Sequence, residues 1–309
     1  MREHLLLKLV QILQHAHFEV STFLQSDNCF DLIAKKQGLL LVVKVYSNID
    51  GIRPEQASEL KRMASLFNAH CIIVGQHSKA FELQEGTLYD RYGIPVVSTK
   101  TFEWVLASKE PFSKYFKGKN IVELDAEKLR RMRIKKKLTL NELAHYTGSS
   151  TESIHRYEKG FPATIETAHK LEHALSTQLI QGFDLFKNQD LEKPEKNETM
   201  HIEDTALEKI HELGLKLSVF DHAPFKAVSL NESILISKGK KKNEIRRKAE
   251  LLKRTRTLFH TDSLIVASEE VHVKSVDGTP VIEEKELDSL SKAKDLIQLL
   301  RERKKEGRT

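Results

Sequence analysis

Residues 59–75 read ELKRMASLFNAHCIIVG, and at a constant offset of 192, residues 251–267 read LLKRTRTLFHTDSLIVA. Leu60, Lys61, Arg62, Leu66, Phe67, Ile73 and Val74 meet identical residues. The match extends outward. YGIPVVSTKTFEWVL (92–106) meets DGTPVIEEKELDSLS (277–291), with Gly93-x-Pro95-Val96 against Gly278-x-Pro280-Val281, and upstream GLLLVVK (38–44) meets SILISK (233–238). The same order of strand, helix, strand, Gly-x-Pro strand and helix therefore appears twice. The fold class expected is multi-domain α/β, with two lobes that look like a divergent repeat.

Between the lobes lies a stretch that reads as all-helical. It begins after EPFSKYFKGKN (110–120) and ends at KNQDLEKPEKNET (187–199), which is polar, contains Pro194 and lacks an apolar period, as a linker does. Its centre is TLNELAHYTGSSTESIHRYEKG (139–160). Ala144, Gly148 and Ile154 stand where two steeply crossing helices need a small residue at the crossing, a glycine with positive φ in the tight turn, and an aliphatic anchor. Thr139 with Glu142 forms a capping box, Ser149 or Ser150 caps the second helix, and Thr164 caps a later one. Leu143, Ile154 and Tyr157 point inward with Leu129, Leu171 and Leu175. The spacing predicts five helices over about 120–186.

SSTESIHRYEKGFPATIETAHKLEHAL resembles the phage-repressor class of helix-turn-helix domains, through the aliphatic-x-Arg-aromatic-Glu-x-Gly stretch Ile154 to Gly160. The succession of an α/β lobe, this domain, a linker and a basic lobe also resembles the archaeal helix-turn-helix transcriptional regulators. The resemblance implies that the second helix enters the major groove of double-stranded DNA by its amino-terminal end. Ser150, Thr151, Glu152, His155 and Arg156 would then read bases. Arg156 is the best guanine reader, because a guanidinium grips O6 and N7 with two bonds; its alternative is an i,i+4 pair with Glu152. Glu152 has its own alternative, a capping box with Ser149. Thr139, Lys135, Lys136, Lys137 and Lys159 are placed for phosphate.

Charge is distributed to match. The 309 residues carry a formal net charge of +6. Ten basic residues against Glu244 and Glu250 give 238–256 a net of +8, leaving −2 elsewhere, and KLRRMRIKKK (128–137) holds seven basic residues and no acid. In NEIRRKAELLKRTRTLFH, Ile245, Ala249 and Leu252 mark a buried stripe, with Arg246, Arg247, Lys253, Arg254 and Arg256 expected mostly outside as a basic patch. DNA flanking the site, RNA or an acidic protein surface would each suit it.

Asp31 and Lys44 have the spacing of the metal-cutting set of the restriction-endonuclease-like fold, which the first lobe resembles. The second carboxylate position is Val42, which cannot ligate a hard cation. In the other lobe Phe225 and Lys226 stand where Phe30 and Asp31 stand, and Ile236 or Ser237 replaces the acid. An extra carboxylate would have to come from elsewhere, such as Glu3 on the first helix. No catalytic residue, metal or cofactor is therefore expected. Cys29 and Cys71 have no CxxC spacing, so neither zinc nor a disulfide is indicated. Mean hydropathy is −0.42 and no apolar run has spanning length, while MREHLLLKLVQILQ reads as a first helix and not an export signal.

The domains expected are 1–116, a nuclease-like lobe without a complete active site; 117–187, helix-turn-helix; 188–200, linker; and 201–309, the basic lobe. Together these readings predict a cytoplasmic, sequence-specific DNA-binding regulator, a homodimer with no membrane partner, whose small-molecule effector the sequence does not reveal. The alternatives are a metal-dependent, structure-specific nuclease using Asp31 and Lys44, and an antitoxin or RNA-associated interaction protein.

Overall fold

The computed structural model describes residues 2–23, 27–186 and 203–306, so the expected linker at 188–200 lies outside the described residues. The chain divides into two compact units, one made of 1–16, 45–52 and 72–190, the other of 17–44, 53–71 and 191–309. Each unit is assembled from segments far apart in sequence.

In chain order the first hundred residues form α1 (Arg2–His15), β1 (Glu19–Thr22), β2 (Leu32–Lys36), β3 (Leu39–Asn48), α2 (Pro54–Leu66), β4 (His70–His77), β5 (Thr87–Arg91), β6 (Ile94–Ser98) and α3 (Thr99–Leu106). The central segment holds β7 (Ser113–Phe116), β8 (Lys119–Leu124), α4 (Ala126–Lys135), α5 (Leu140–Thr147), α6 (Thr151–Tyr157), β9 (Ala163–Thr164), α7 (Ile165–Leu175) and β10 (Ile180–Gln181). The last lobe runs α8 (Thr205–Glu212), β11 (Leu217–Val219), β12 (Ala227–Ser229), β13 (Ile234–Gly239), α9 (Lys242–Phe259), β14 (Asp262–Ala267), β15 (Ser275–Val276), β16 (Thr279–Glu283), α10 (Glu284–Leu287) and α11 (Ala293–Glu306).

From α1 to α3 and from α8 to α10 the order of elements is the same, and so is the pairing. β1, β2 and β3 form an antiparallel meander, as do β11, β12 and β13. β4 is parallel to β6, which pairs antiparallel with β5; β14, β16 and β15 repeat this. The matching turns between β5 and β6 and between β15 and β16, Tyr92–Gly93 and Asp277–Gly278, place their residues at positive φ (56° and 78°, 50° and 72°). That is the type I′ geometry whose twist suits a hairpin, and it explains the repeated glycine.

In the unit that contains the last lobe, β13, β14 and β16 direct Ile234, Ile236, Leu264, Val266 and Ile282 into a core with Leu207 and Ile210 of α8 and Leu296 and Leu300 of α11. Ile245, Ala249 and Leu252 of α9 are buried, as their spacing requires. First-lobe segments of the same unit pack on this lobe. Arg62 on α2 donates to the Val219 carbonyl at 2.6 Å and lies over the Phe220 ring at 4.5 Å. Reciprocally, α9 rests on β2, where Lys35 donates to the Leu258 carbonyl at 3.2 Å.

In the other unit the central segment closes around Leu129, Leu143, Ala144, Ile154, Ala168, Leu171 and Leu175, together with Val122 and Leu124 of β8. The five-helix, all-α expectation needs correcting here: four helices lie between Ala126 and Leu175, and strands flank them. Ser176 takes φ 51° and ends α7, after which Ile180 and Gln181 pair antiparallel with Leu124 and Glu123 of β8. The left-handed turn releases the chain into extended backbone, and a waiting strand edge takes its N–H and C=O groups.

Candidate nucleic-acid interface

Local chemistry sets the two crossing helices. Thr139 caps α5, accepting from the Glu142 N–H at 3.1 Å, while the Glu142 carboxylate accepts from the Thr139 N–H at 2.7 Å and its hydroxyl at 2.8 Å. Those bonds hold the Glu142 carboxyl below the usual carboxylate range. They also occupy both Thr139 donors, so a phosphate at this end would compete with a carboxylate already there. Gly148 ends α5 at φ 64°, with open space around its α-carbon: conformation, not crowding, requires glycine. The Ser149 N–H returns to the Ala144 carbonyl at 2.9 Å, and Ala144 is 3% exposed at the crossing.

Ser150, not Ser149, caps α6, accepting from the Ser153 N–H at 3.1 Å. The capping box between Ser149 and Glu152 therefore does not form. Ser150, Thr151, Glu152, His155 and Arg156 are all exposed, whereas Ile154 between them is 0% exposed. Burying that side chain contributes about 1.5–3 kcal/mol toward holding α6 in place. The helix thus turns an aliphatic side to the core and a polar side to solvent. Thr151 donates to Asn141 of α5 at 3.4 Å.

Arg156 does not take the i,i+4 alternative. Its guanidinium lies 4.7 Å from the centre of the exposed Phe161 ring, and no ion pair joins it to Glu152. Such a cation–π contact contributes about 0.5–1 kcal/mol at an exposed site and orients the side chain without consuming its N–H groups. Sequence reasoning passed over Phe161. Its signal was an aromatic residue in the loop one turn beyond α6.

The basic run around α4 is less uniform than its composition. Arg133 grips Glu158 with two bonds, Nε to Oε1 at 2.6 Å and Nη2 to Oε2 at 3.0 Å, and donates to the Leu138 carbonyl at 2.9 Å. It ties α4 to the end of α6. Lys136 donates to the Ala174 carbonyl and the Ser176 hydroxyl, both at 3.0 Å, capping α7. Lys135, Lys137 and Lys159 are exposed.

The patch on α9 is also divided. Arg246, Arg247, Lys253 and Arg254 are exposed, with Arg254 paired to Glu250. Arg256, expected outside, is half-buried. It donates to the Gly278 carbonyl at 2.8 Å, because the β15–β16 turn folds back over the last turn of α9.

Asp31 and Lys44 do come together, at 3.2 Å and 0% and 1% exposed, with Lys44 also donating to the Asn28 carbonyl. Val42 is fully buried and faces Ile33 across the β2–β3 pair. Nearby, Glu59 accepts from the Asp221 and His222 N–H groups at 2.8 and 2.9 Å, and the Cys29 N–H donates to the His222 carbonyl. A segment of the last lobe thus lies against this corner. Glu3 is exposed on α1. Among the described residues no group of three or more His, Cys, Asp and Glu is gathered as a metal would need, and no helix is long and apolar enough to cross a membrane.

Two stretches of the chain match known domain families. Residues 2–112 match a PD-(D/E)XK superfamily domain and residues 129–180 a helix-turn-helix domain. Relatives named "Putative HTH-type transcriptional regulatory protein" align along nearly their whole length. The one from Archaeoglobus fulgidus is 31% identical over 96% of this chain and 96% of its own, and the one from Thermococcus gammatolerans is 32% identical over 99% and 98%. A third, from Methanothermobacter thermautotrophicus, is 31% identical over 98% and 97%. No solved structure matches. With these identities spanning the whole chain, the protein belongs to the family of archaeal HTH-type transcriptional regulatory proteins.

Proposed function

We propose that the protein is a sequence-specific DNA-binding regulator that lays α6 in the major groove. One observation carries the reading: the first turn of α6 is exposed together with His155 and Arg156, while Ile154 anchors its other side in the core. A helix so placed enters a groove about 12 Å wide without unpacking. Ser150, Thr151, Glu152, His155 and Arg156 read base edges, with Arg156 on guanine; Lys135, Lys137 and Lys159 hold phosphates, while Thr139 and Lys136 contribute less because each already has partners. The reading includes cytoplasmic location and a division at 117–187 and 201 into nuclease-like, DNA-reading and basic lobes, the outer two being copies of one ancestral unit. One short reading helix contacts few base pairs, so two copies on a palindrome form the functional species.

The test is selection of bound duplexes from a random pool, followed by binding of Arg156→Ala to the consensus and to random DNA. Loss of about 1–3 kcal/mol on the consensus with little change on random DNA supports the reading. Equal losses on both, or no consensus at all, overturn it, and the latter favours an RNA-associated or protein-docking role.

A second reading is favoured by the PD-(D/E)XK match and by the Asp31–Lys44 contact. It is cleavage of DNA with magnesium or manganese. Metal-dependent cutting that disappears in Asp31→Ala would support it. A protein inert toward linear and branched DNA alike would remove it.

A further inference from the structure

We propose that the last lobe contains a binding site for a small organic carboxylate with an apolar body, at the end of its sheet where β14 and β16 begin. A cavity of about 360 Å³ opens there, within the range of small-molecule sites. Ile234, Pro280, Ile297 and Leu300 supply an apolar wall, and Arg256, Arg301 and Ser263 supply the polar side.

The repeat singles out the polar groups. Thr261, Ser263 and Thr279 each hold a buried hydroxyl oxygen with no hydrogen-bond partner. Under the same alignments that relate the lobes, the first lobe has Ala69, Cys71 and Ile94 at these positions. Three apolar positions of one copy have become unsatisfied hydroxyls in the other, all at one end of its sheet. Buried hydroxyls are normally bonded, so an orphan in a cavity wall, as Ser263 is, marks where a partner from outside belongs. Of the three, Ser263, 3% exposed, is the one that lines the cavity; Thr261 and Thr279 adjoin lining residues in sequence but are not part of its wall.

Charge decides the class of ligand. Lys304 is neutralised by Asp262, but Arg256 and Arg301 form no ion pair with a carboxylate among the described residues. Arg256 is already oriented by its bond to the Gly278 carbonyl, leaving further N–H groups to donate. Two guanidiniums and a hydroxyl suit a carboxylate, which accepts at both oxygens. Glu232 also lines the cavity, and the apolar wall gives the remainder of the ligand somewhere to lie.

The experiment is calorimetric titration of the full chain, without DNA, using phenylacetate, with phenylacetamide as its neutral counterpart. Saturable binding of phenylacetate, weakened about tenfold or more in the amide, in Arg301→Gln and in Ser263→Cys, supports the site. Arg301 is exposed, so Arg301→Gln retains the fold even if Ser263→Cys does not. No saturable heat from phenylacetate, or equal binding of the amide, or binding untouched by Arg301→Gln, overturns it. No DNA takes part, so the outcome is independent of whether α6 reads a groove.

Discussion

Phe67 and Phe259 lie face to face, ring centroids 3.8 Å apart and planes 3° apart. They are the same position of the two aligned stretches, 192 residues apart, so each copy touches the other through its own equivalent residue. Contacts of a residue with its counterpart mark a twofold relation, here within one chain. The pairs Phe23–Phe30 and Phe220–Phe225, both edge-to-face at 77° and 82°, recur on the two sides. Phe259→Ala, at an 8% exposed site, is expected to cost about 3 kcal/mol in denaturant unfolding of the full chain. A double-mutant cycle with Phe67→Ala should return a coupling of about 0.5–1.5 kcal/mol; additivity would show that the stack contributes nothing beyond burial.

Glu158 is a second anchor for α6 besides the buried Ile154, tying its end to α4. Its two bonds to Arg133 are only partly open to water, at 7% and 13% side-chain exposure, and the pairing holds the Arg133 guanidinium above its ordinary pKa. Removing one partner leaves the other nearly buried and unpaired, so Glu158→Ala should destabilise the central segment by about 3 kcal/mol. Arg133→Met, which keeps apolar volume, should combine with it less than additively. Thermal unfolding followed by circular dichroism reads both.

The repeat, the turn glycines, the Thr139–Glu142 box and the core role of Ile154 were legible because each follows from local spacing or a local φ requirement. What escaped the sequence was partnership across distance. KLRRMRIKKK reads as one basic run, yet Arg133 and Lys136 bond to residues 25 and 38 positions away. Arg256 has an outward position on the helical wheel, but the returning hairpin reaches it. The count of five helices missed for a related reason: after Ser176 the chain pairs with β8, Ile180 opposite Leu124, a partner far back in the chain that local spacing does not reveal.

Both cysteines should be silent toward alkylation in the folded protein. Burial pushes the Cys71 thiol up to about 12 and raises Cys29 well above its ordinary value. The thiolate is the nucleophile, so at pH 8 iodoacetamide should label neither until the chain unfolds. The sign is fixed: raising pH toward 9 increases labelling of denatured protein but not of native. Rapid labelling of native Cys29 would mean that the segment carrying His222 lifts away from it.

Asp31 and Lys44 should behave as a structural pair. Both are out of water, so Asp31→Ala leaves a buried ammonium without its carboxylate, with the Asn28 carbonyl still accepting from it, and should cost about 3 kcal/mol. Cutting assays with this variant therefore need a folding control. Replacing both residues with Asp31→Leu and Lys44→Met should restore much of the stability, because a buried pair often exchanges for apolar side chains at little cost.

Salt dependence tests which lysines meet DNA, as proposed for Lys135, Lys137 and Lys159, and which brace the fold. Binding constants fall with salt along a log–log slope of about −0.9 per phosphate neutralised. Lys137→Ala and Lys159→Ala should each make the slope shallower by about 0.9, weakening consensus and random duplexes alike. Lys136→Ala should leave the slope nearly unchanged and lower the melting temperature instead, because its ammonium already bonds to the end of α7. Arg246→Ala carries the same question to α9, where the exposed guanidinium has no ion-pair partner among the described residues. A slope that stays constant there would assign the α9 patch to something other than the phosphates flanking the site, and a slope lowered by about 0.9 would extend the footprint onto the last lobe.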